Sequence, residues 1–309
     1  MPYAHPLFPS MPQSVRIVEV GPRDGLQNES QHISTAEKIE WIKLLVASGL
    51  RHIEVGSFVS KEWVPQMQDS EAVFAGLRDQ DPNVRFSALV PNLKGLERAL
   101  QAQAAEICIF ASASETFSQH NTHCSIETAL SKAEAIVAHC KPLGLPVRAY
   151  ISCVFFCPYE GYISPEKVLP IITRLYQAGC YEISLGDTIG KATTLDVHRL
   201  LEAIFTKTAV PKSAIAVHFH NTYGQALANV YCSLQHGITT IDSSTAGLGG
   251  CPYAKGATGN LATEDLLFML NGLQITTSVA MPSLLKASQF ICNTLKRENQ
   301  SLAARALLS

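Results

Sequence analysis

VRIVEVGPRDGLQNESQHISTAEKIEWIKLLVASG, residues 15–49, holds one complete strand-to-helix unit. VRIVEV (15–20) is a short β-branched run that reads as a strand, and TAEKIEWIKLLVASG (35–49) has the apolar spacing of an amphipathic helix with Gly49 as its stop. The same order recurs along the chain. HIEV (52–55) is followed by a helix near 64–78, VRFSALV (84–90) by 93–102, AEICIFA (105–111) by 126–141, and PVRAYISCVF (146–155) by 165–178. YEISLG (181–186) precedes 194–207, AIAVHFH (214–220) precedes 223–236, and TTIDSS (239–244) precedes 263–272. Strands nearly continuous in apolar residues and separated by crossover helices belong to a parallel sheet covered by helices. Eight such units without a linker predict an α/β fold of the (β/α)8 TIM-barrel type; an open doubly wound sheet is the alternative. The expected organisation is a single domain over 1–309, with the barrel at about 15–275 and one additional C-terminal helix at about 282–297. Pro165 suits a first helical position, whereas Pro170 is expected to kink or delay the fifth helix.

The composition narrows the function. Of 309 residues, 47% are hydrophobic and 16% charged, enough for a large core. Twenty-four Lys and Arg against 26 Asp and Glu leave a net charge of −2, so no basic excess is present to neutralise a run of phosphates, and no nucleic-acid partner is expected. No stretch approaches the ~20 apolar residues of a membrane helix. The start, MPYAHPLFPSMP, has neither a charged region leading into an apolar run nor an Arg-rich amphipathic helix, so a cytoplasmic protein is expected. Nine cysteines without a C-x-x-C pair read as free thiols, most of them small buried hydrophobes.

In a barrel the chemistry lies where strands end and βα loops begin. EVGPRDGLQNE (19–29) puts Arg23 and Asp24 at such a point, although an Arg-Asp pair also fits a solvated turn. In AVHFHNTYGQALAN (216–229), His218 and His220 are two apart on a strand and point to one face, as a divalent-metal pair would; a core histidine is the plainer reading of either alone. The loop STAGLGGCPYAKGATGNLATED (244–265) carries five glycines, which suit close approach to a ligand or simply a floppy loop. It presents Cys251 between Gly250 and Pro252, a setting that argues for reactivity, and ends near Asn260. Glu54 in IEVGSF (53–58) and Asp187 in SLGDTIG (184–190) hold corresponding positions. Asp24, His218, His220 and Asn260 together offer an N2O2 set suited to octahedral Mg2+ or Mn2+, with Zn2+ less favoured.

EVGPRDGLQNE, IEVGSFVSKEWVPQMQD, YEISLGDTIG, AVHFHNTYGQALAN and GLGGCPYAKGATGNLATED together resemble the 3-hydroxy-3-methylglutaryl-CoA lyase family, metal-dependent (β/α)8 barrels, over about residues 14–297. The resemblance implies cleavage of 3-hydroxy-3-methylglutaryl-CoA to acetyl-CoA and acetoacetate, as in leucine and ketone-body catabolism. It implies Asp24, His218, His220 and Asn260 as metal ligands, Arg23 as the group that stabilises the enolate, and Cys251, on a mobile lid, in proton transfer. Glu54 would be a polar residue beside the metal, and Asp187 would help hold the site together. His218 and Asp24 count among the catalytic groups as well as the ligands. A homodimer is implied, as is a small-molecule CoA thioester substrate, with longer 3-hydroxy-3-alkylglutaryl-CoA chains accepted if the pocket is open. Scattered lysines such as Lys255, or helix N-termini, are candidates for the CoA phosphates. The chain departs from the family in reading KATTLD after GDTIG, in Pro170, and in its end, RALLS, which lacks the terminal cysteine of some lyases. Two rivals stand beside this reading: a condensing acyltransferase joining acetyl-CoA to a 2-oxo acid, and a noncatalytic metal- or CoA-binding barrel.

Overall fold

The computed structural model describes residues 11–27, 29–60, 64–250 and 259–309. Strands β1 (Arg16–Glu19), β2 (His52–Ser57), β3 (Arg85–Leu89), β4 (Glu106–Ser112) and β5 (Val147–Ser152) come first. A small antiparallel hairpin, β6 (Phe156–Cys157) with β7 (Gly161–Tyr162), interrupts the series before β8 (Glu182–Asp187), β9 (Ile215–Phe219) and β10 (Thr240–Ser243). Apart from the hairpin all are parallel, in the ring order β1-β10-β9-β8-β5-β4-β3-β2. The seam settles barrel against open sheet: β1 pairs with β10 in register from Arg16↔Thr240 to Glu19↔Ser243.

The helices outside the ring are α1 (Thr35–Ala47), α2 (Ser70–Gly76), α3 (Leu93–Gln101), α4 (Glu115–Thr122), α5 (Ile126–Cys140), α6 (Pro165–Ala178), α7 (Thr194–Lys207), α8 (Ala226–Gln235), α9 (Thr263–Gly272), α10 (Met281–Leu295) and α11 (Leu302–Leu308). Helix α1 starts where the sequence signals it: Ser34 and Glu37 form a reciprocal capping box. It stops at Gly49, whose φ of 101° and close approach to the Ser278 carbonyl leave no room for a side chain. The helix expected near 64–78 is divided into a 3₁₀ turn at Pro65–Met67 and the shorter α2. Pro170 neither delays nor divides α6. It is exposed, as is Glu166, whose carbonyl it deprives of an amide donor on the solvent side of the helix, where water is at hand to satisfy it. Beyond the expected C-terminal helix, α11 packs on α9, with Ser301 Oγ donating to Asp265 Oδ1 at 2.6 Å. Among the described residues no helix is long and apolar enough to cross a membrane.

The barrel interior is not purely aliphatic. Arg148 on β5 is fully buried, with Nε 2.7 Å from Glu182 Oε1 and Nη2 2.6 Å from Asp242 Oδ1. Arg16 pairs with the other oxygen of Glu182, and Arg85 with Glu106. Alternation along β5 places Arg148, Tyr150 and Ser152 on one side, so the charged layer lies directly beneath the residues at the strand ends.

Candidate active site at the barrel mouth

After β1 the chain makes one wide turn of π-helix, Gly21–Gly25, in which the Arg23 and Gly25 amides both donate to the Val20 carbonyl. Gly25 is needed there, since a Cβ would lie 2.8 Å from Ser244 Oγ and 2.9 Å from Leu248 Cβ. The turn folds Arg23 inward rather than into solvent. Its Nε and Nη2 stand 2.8 and 2.7 Å from Glu54 Oε2, its Nη1 donates to Asp24 Oδ1 at 2.8 Å, and its guanidinium lies 5.6 Å from the Tyr150 ring. Burial works against the charge, but Glu54 and Asp24 outweigh it, and Arg23 stays protonated.

Glu54 is fully buried. It sits beside a β-bulge, where the β2–β3 register shifts between Glu54 and Gly56. Its Oε2 also accepts from the Tyr150 hydroxyl at 3.2 Å, while Oε1 is buried without a partner. Burial pushes the Glu54 carboxyl above its ordinary range against the pull of Arg23.

His218 and His220 rise from β9 with ring centroids 5.3 Å apart. His218 Nδ1 is 3.3 Å from Asp242 Oδ2, and its Nε2 is 4.0 Å from Asp24 Oδ2. Asp242 is in turn fixed by Arg148 and by Ser184 Oγ at 2.7 Å. Asn260 is brought in by a short antiparallel bridge to His220, and its Nδ2 donates to Asp24 Oδ2 at 2.8 Å and to the Leu248 carbonyl at 3.1 Å. One ligand atom each of Asp24, His218 and His220 lies within 4.8 Å of the others. His220 Nδ1 and Asn260 Oδ1 are buried with no hydrogen-bond partner, a pair of orphaned acceptors that a cation would satisfy. Asp24 is held down to about 2: burial raises it, but Arg23, His218, His220 and Asn260 prevail. His220 falls to about 4 through burial and the neighbouring His218, leaving a neutral ring with a free lone pair. A carboxylate, two imidazoles and an amide oxygen thus fit a divalent cation.

A cavity of about 570 Å³ opens over this cluster. Arg23, Asp24, Tyr150, His218 and His220 form its polar floor, and Val90, Ile109, Phe110 and Phe117 are among its apolar walls. Glu54 does not line it and reaches the site through Arg23. Asp187 accepts the Lys191 and Ala192 amides at 3.1 and 3.0 Å, building the turn after β8. Cys251 and Lys255 lie outside the described residues. The eight cysteines among the described residues are free thiols, and all but Cys124 are buried. Tyr150, Asp242 and Arg148 escaped the sequence reading. Their one signal was an arginine and an acid inside segments read as buried strands, VRAYIS and TTIDSS, where an unpaired charge is untenable.

A closed parallel barrel carrying such a ligand cluster and a buried arginine at its strand ends defines a (β/α)8 barrel built for metal-assisted chemistry on a small substrate. The HMGL-like family model matches residues 14–291. The chain belongs to that family, among the hydroxymethylglutaryl-CoA lyases. It is 54% identical, over 97% of its length and 99% of the relative's, to a 3-hydroxy-3-isohexenylglutaryl-CoA/hydroxy-methylglutaryl-CoA lyase of Pseudomonas aeruginosa. It is 51% identical to the human cytoplasmic 3-hydroxy-3-methylglutaryl-CoA lyase, covering 96% of this chain and 79% of that one. A crystal structure of the hydroxymethylglutaryl-CoA lyase from Pseudomonas aeruginosa superposes with a TM-score of 0.94 at 55% identity, covering 97% and 99% of the two chains.

Proposed function

We propose that the protein is a divalent-metal-dependent lyase that cleaves 3-hydroxy-3-methylglutaryl-CoA to acetyl-CoA and acetoacetate. The observation that carries this is the Asp24–His218–His220 cluster directly beside a buried, fully charged Arg23. The reaction breaks the C2–C3 bond: the tertiary hydroxyl gives its proton to a base and becomes a ketone, the bonding pair passes to the acetyl-CoA half as an enolate, and one proton returned to the enolate carbon balances the one taken. Asp24, His218, His220 and Asn260 hold the cation, Mg2+ or Mn2+ by the balance of nitrogen and oxygen donors. When bound, it supplies Lewis acidity that orients the substrate hydroxyl and carboxylate oxygens and eases loss of the hydroxyl proton.

Arg23 offsets the charge that develops on the thioester oxygen, and it does so without reorganising, because Glu54 and the Tyr150 ring already fix its plane. Asp242 holds His218 in place through Nδ1, leaving Nε2 directed at the Asp24 side. Cys251, the residue that the family resemblance implies in proton transfer, supplies the proton that the enolate carbon takes up. The apolar walls of the cavity suit alkyl groups longer than methyl on C3, and the Pseudomonas relative, named for both an isohexenyl and a methyl substrate, supports that breadth. The same reading makes the protein a cytoplasmic homodimer in leucine catabolism.

The deciding assay supplies 3-hydroxy-3-methylglutaryl-CoA with Mg2+ and follows acetoacetate, which should form and should cease on chelation. Release of free CoA thiol from acetyl-CoA and a 2-oxo acid, with no acetoacetate from the first mixture, would identify a condensing acyltransferase instead. Metal binding without either turnover would leave a noncatalytic barrel.

A further inference from the structure

The outer helices carry a second group of metal-type side chains, none of which lines the barrel-mouth cavity. His198 and Glu202 are four residues apart on α7 and share a face of it, and His236 follows the last residue of the adjoining α8. His198 Nδ1 and His236 Nε2 are 3.0 Å apart with the rings tilted by 50°, and Glu202 Oε1 is 3.7 Å from His236 Nδ1. One ligand atom from each of the three lies within 4.8 Å of the others.

We propose that His198, Glu202 and His236 form a second metal site, which takes a borderline divalent transition cation such as Zn2+ and clips α7 to α8. Two imidazole nitrogens bound at ~2.0–2.1 Å to one ion stand roughly 2.9–3.4 Å apart for octahedral to tetrahedral angles, so this pair already has the bite of a chelate. At present the two rings share an N–H···N bond. On metal binding the donor ring shifts that proton to its other nitrogen, both rings remain neutral, and the ion occupies the position between them. Burial, with His198 and Lys212 nearby, shifts the His236 imidazole downward against the pull of Glu202. Glu202, exposed to water, closes the remaining gap by rotating about its own side-chain bonds. Two imidazoles and one carboxylate select a softer cation than the oxygen-richer set at the barrel mouth. A groove beside the site, lined by His198 and Glu202 together with Tyr162, Glu166 and Lys207, gives water access to the open positions.

The test is calorimetric titration of tag-free protein with Zn2+ in the presence of saturating Mg2+, paired with thermal melts. Wild-type protein should take up one more equivalent than the His198→Ala or His236→Ala variant, and both variants should lose a Zn2+-induced rise in melting temperature. Glu202→Gln should weaken that equivalent at least about tenfold, the lower end of what even an outer-shell partner contributes. Mg2+-supported turnover should be unchanged in all three, and melts without Zn2+ establish that they fold. The His220→Ala variant, altered only at the barrel mouth, should retain the outer equivalent. Equal Zn2+ uptake by wild type and His198→Ala, or loss of the equivalent in His220→Ala, would overturn the proposal.

Discussion

Arg23 touches Glu54, Asp24 and the Tyr150 ring at once, so its substitution separates charge stabilisation from metal binding. Arg23→Gln is expected to lower kcat by roughly 10²–10³-fold, the scale of losing one preorganised charge-stabilising donor, with Mn2+ affinity nearly intact; near-normal turnover would remove Arg23 from the chemistry. Cys251→Ala should abolish most turnover, and alkylation should inactivate the native protein unless substrate protects it. Peptide mapping checks this, because Cys124 also borders the cavity and is the one incompletely buried thiol among the other eight. If Cys124 carries the protected label, the role given to Cys251 falls. The residues that the structure gathers at the barrel mouth were legible because polar groups at strand ends need a reason to be there. The solvated-turn reading of Arg23–Asp24 gave way because Glu54, thirty-one residues along the chain, supplies a partner that no local pattern announces.

At the level of elements, the approach of two glycine-containing segments governs where Asn260 lies. A Cβ on Gly259 would sit 1.9 Å from the Gly249 carbonyl oxygen, and the Gly259 carbonyl accepts from the Asn221 amide at 3.1 Å. Gly259→Ala must therefore push the segments apart and displace Asn260. Its expected effect is at least about tenfold weaker Mn2+ binding, measured by titration, with the melting temperature changed far less than by a core substitution; unaltered affinity would show that Asn260 is not a ligand. Seven of the eight barrel helices lie close to the bounds expected from the sequence. The second does not, because Asp69 and Ser70 turn inward: Lys38 Nζ pairs with Asp69 at 2.6 Å, and Ser70 Oγ accepts the Ser57 amide at 3.0 Å, so the segment is spent on contacts rather than on a regular helix. Helix α4 escaped notice for the opposite reason: ETFSQHNT is polar almost all round and starts on a Ser114 cap, a signal too short to separate from a loop.

Across the whole molecule, buried carboxyls set an unusual dependence of stability on pH. Burial pushes Asp187 and Glu264 up to about 7. A carboxyl raised above its unfolded value contributes stability that is complete below that value and is lost as pH rises through the folded one. Asp24 and Asp242, held near 2, act in the opposite sense, and their contribution is lost as pH falls toward 2. The melting temperature should therefore decline between about pH 4 and pH 7, and Glu264→Gln should flatten that decline; an unchanged slope in the variant would exclude Glu264 as a source. Arg148→Met, which removes the guanidinium that Glu182 and Asp242 share and leaves them only Arg16, Ser184 and His218, should cost about 3–5 kcal/mol by denaturant unfolding. A loss below about 1 kcal/mol, typical of an exposed pair, would mean that water reaches the layer.

The β1–β10 seam sets the timing of assembly on the ribosome. The first strand waits for a neighbour 224 residues downstream, which at 5–20 residues per second is a delay of roughly 10–45 s. Throughout that interval the growing sheet has two open edges, each a template for wrong pairing. The nascent chain, rather than the finished barrel, is thus the form most in need of a chaperone, and slowed translation should lower its soluble yield more than that of a protein whose first strand finds every partner close by in the chain.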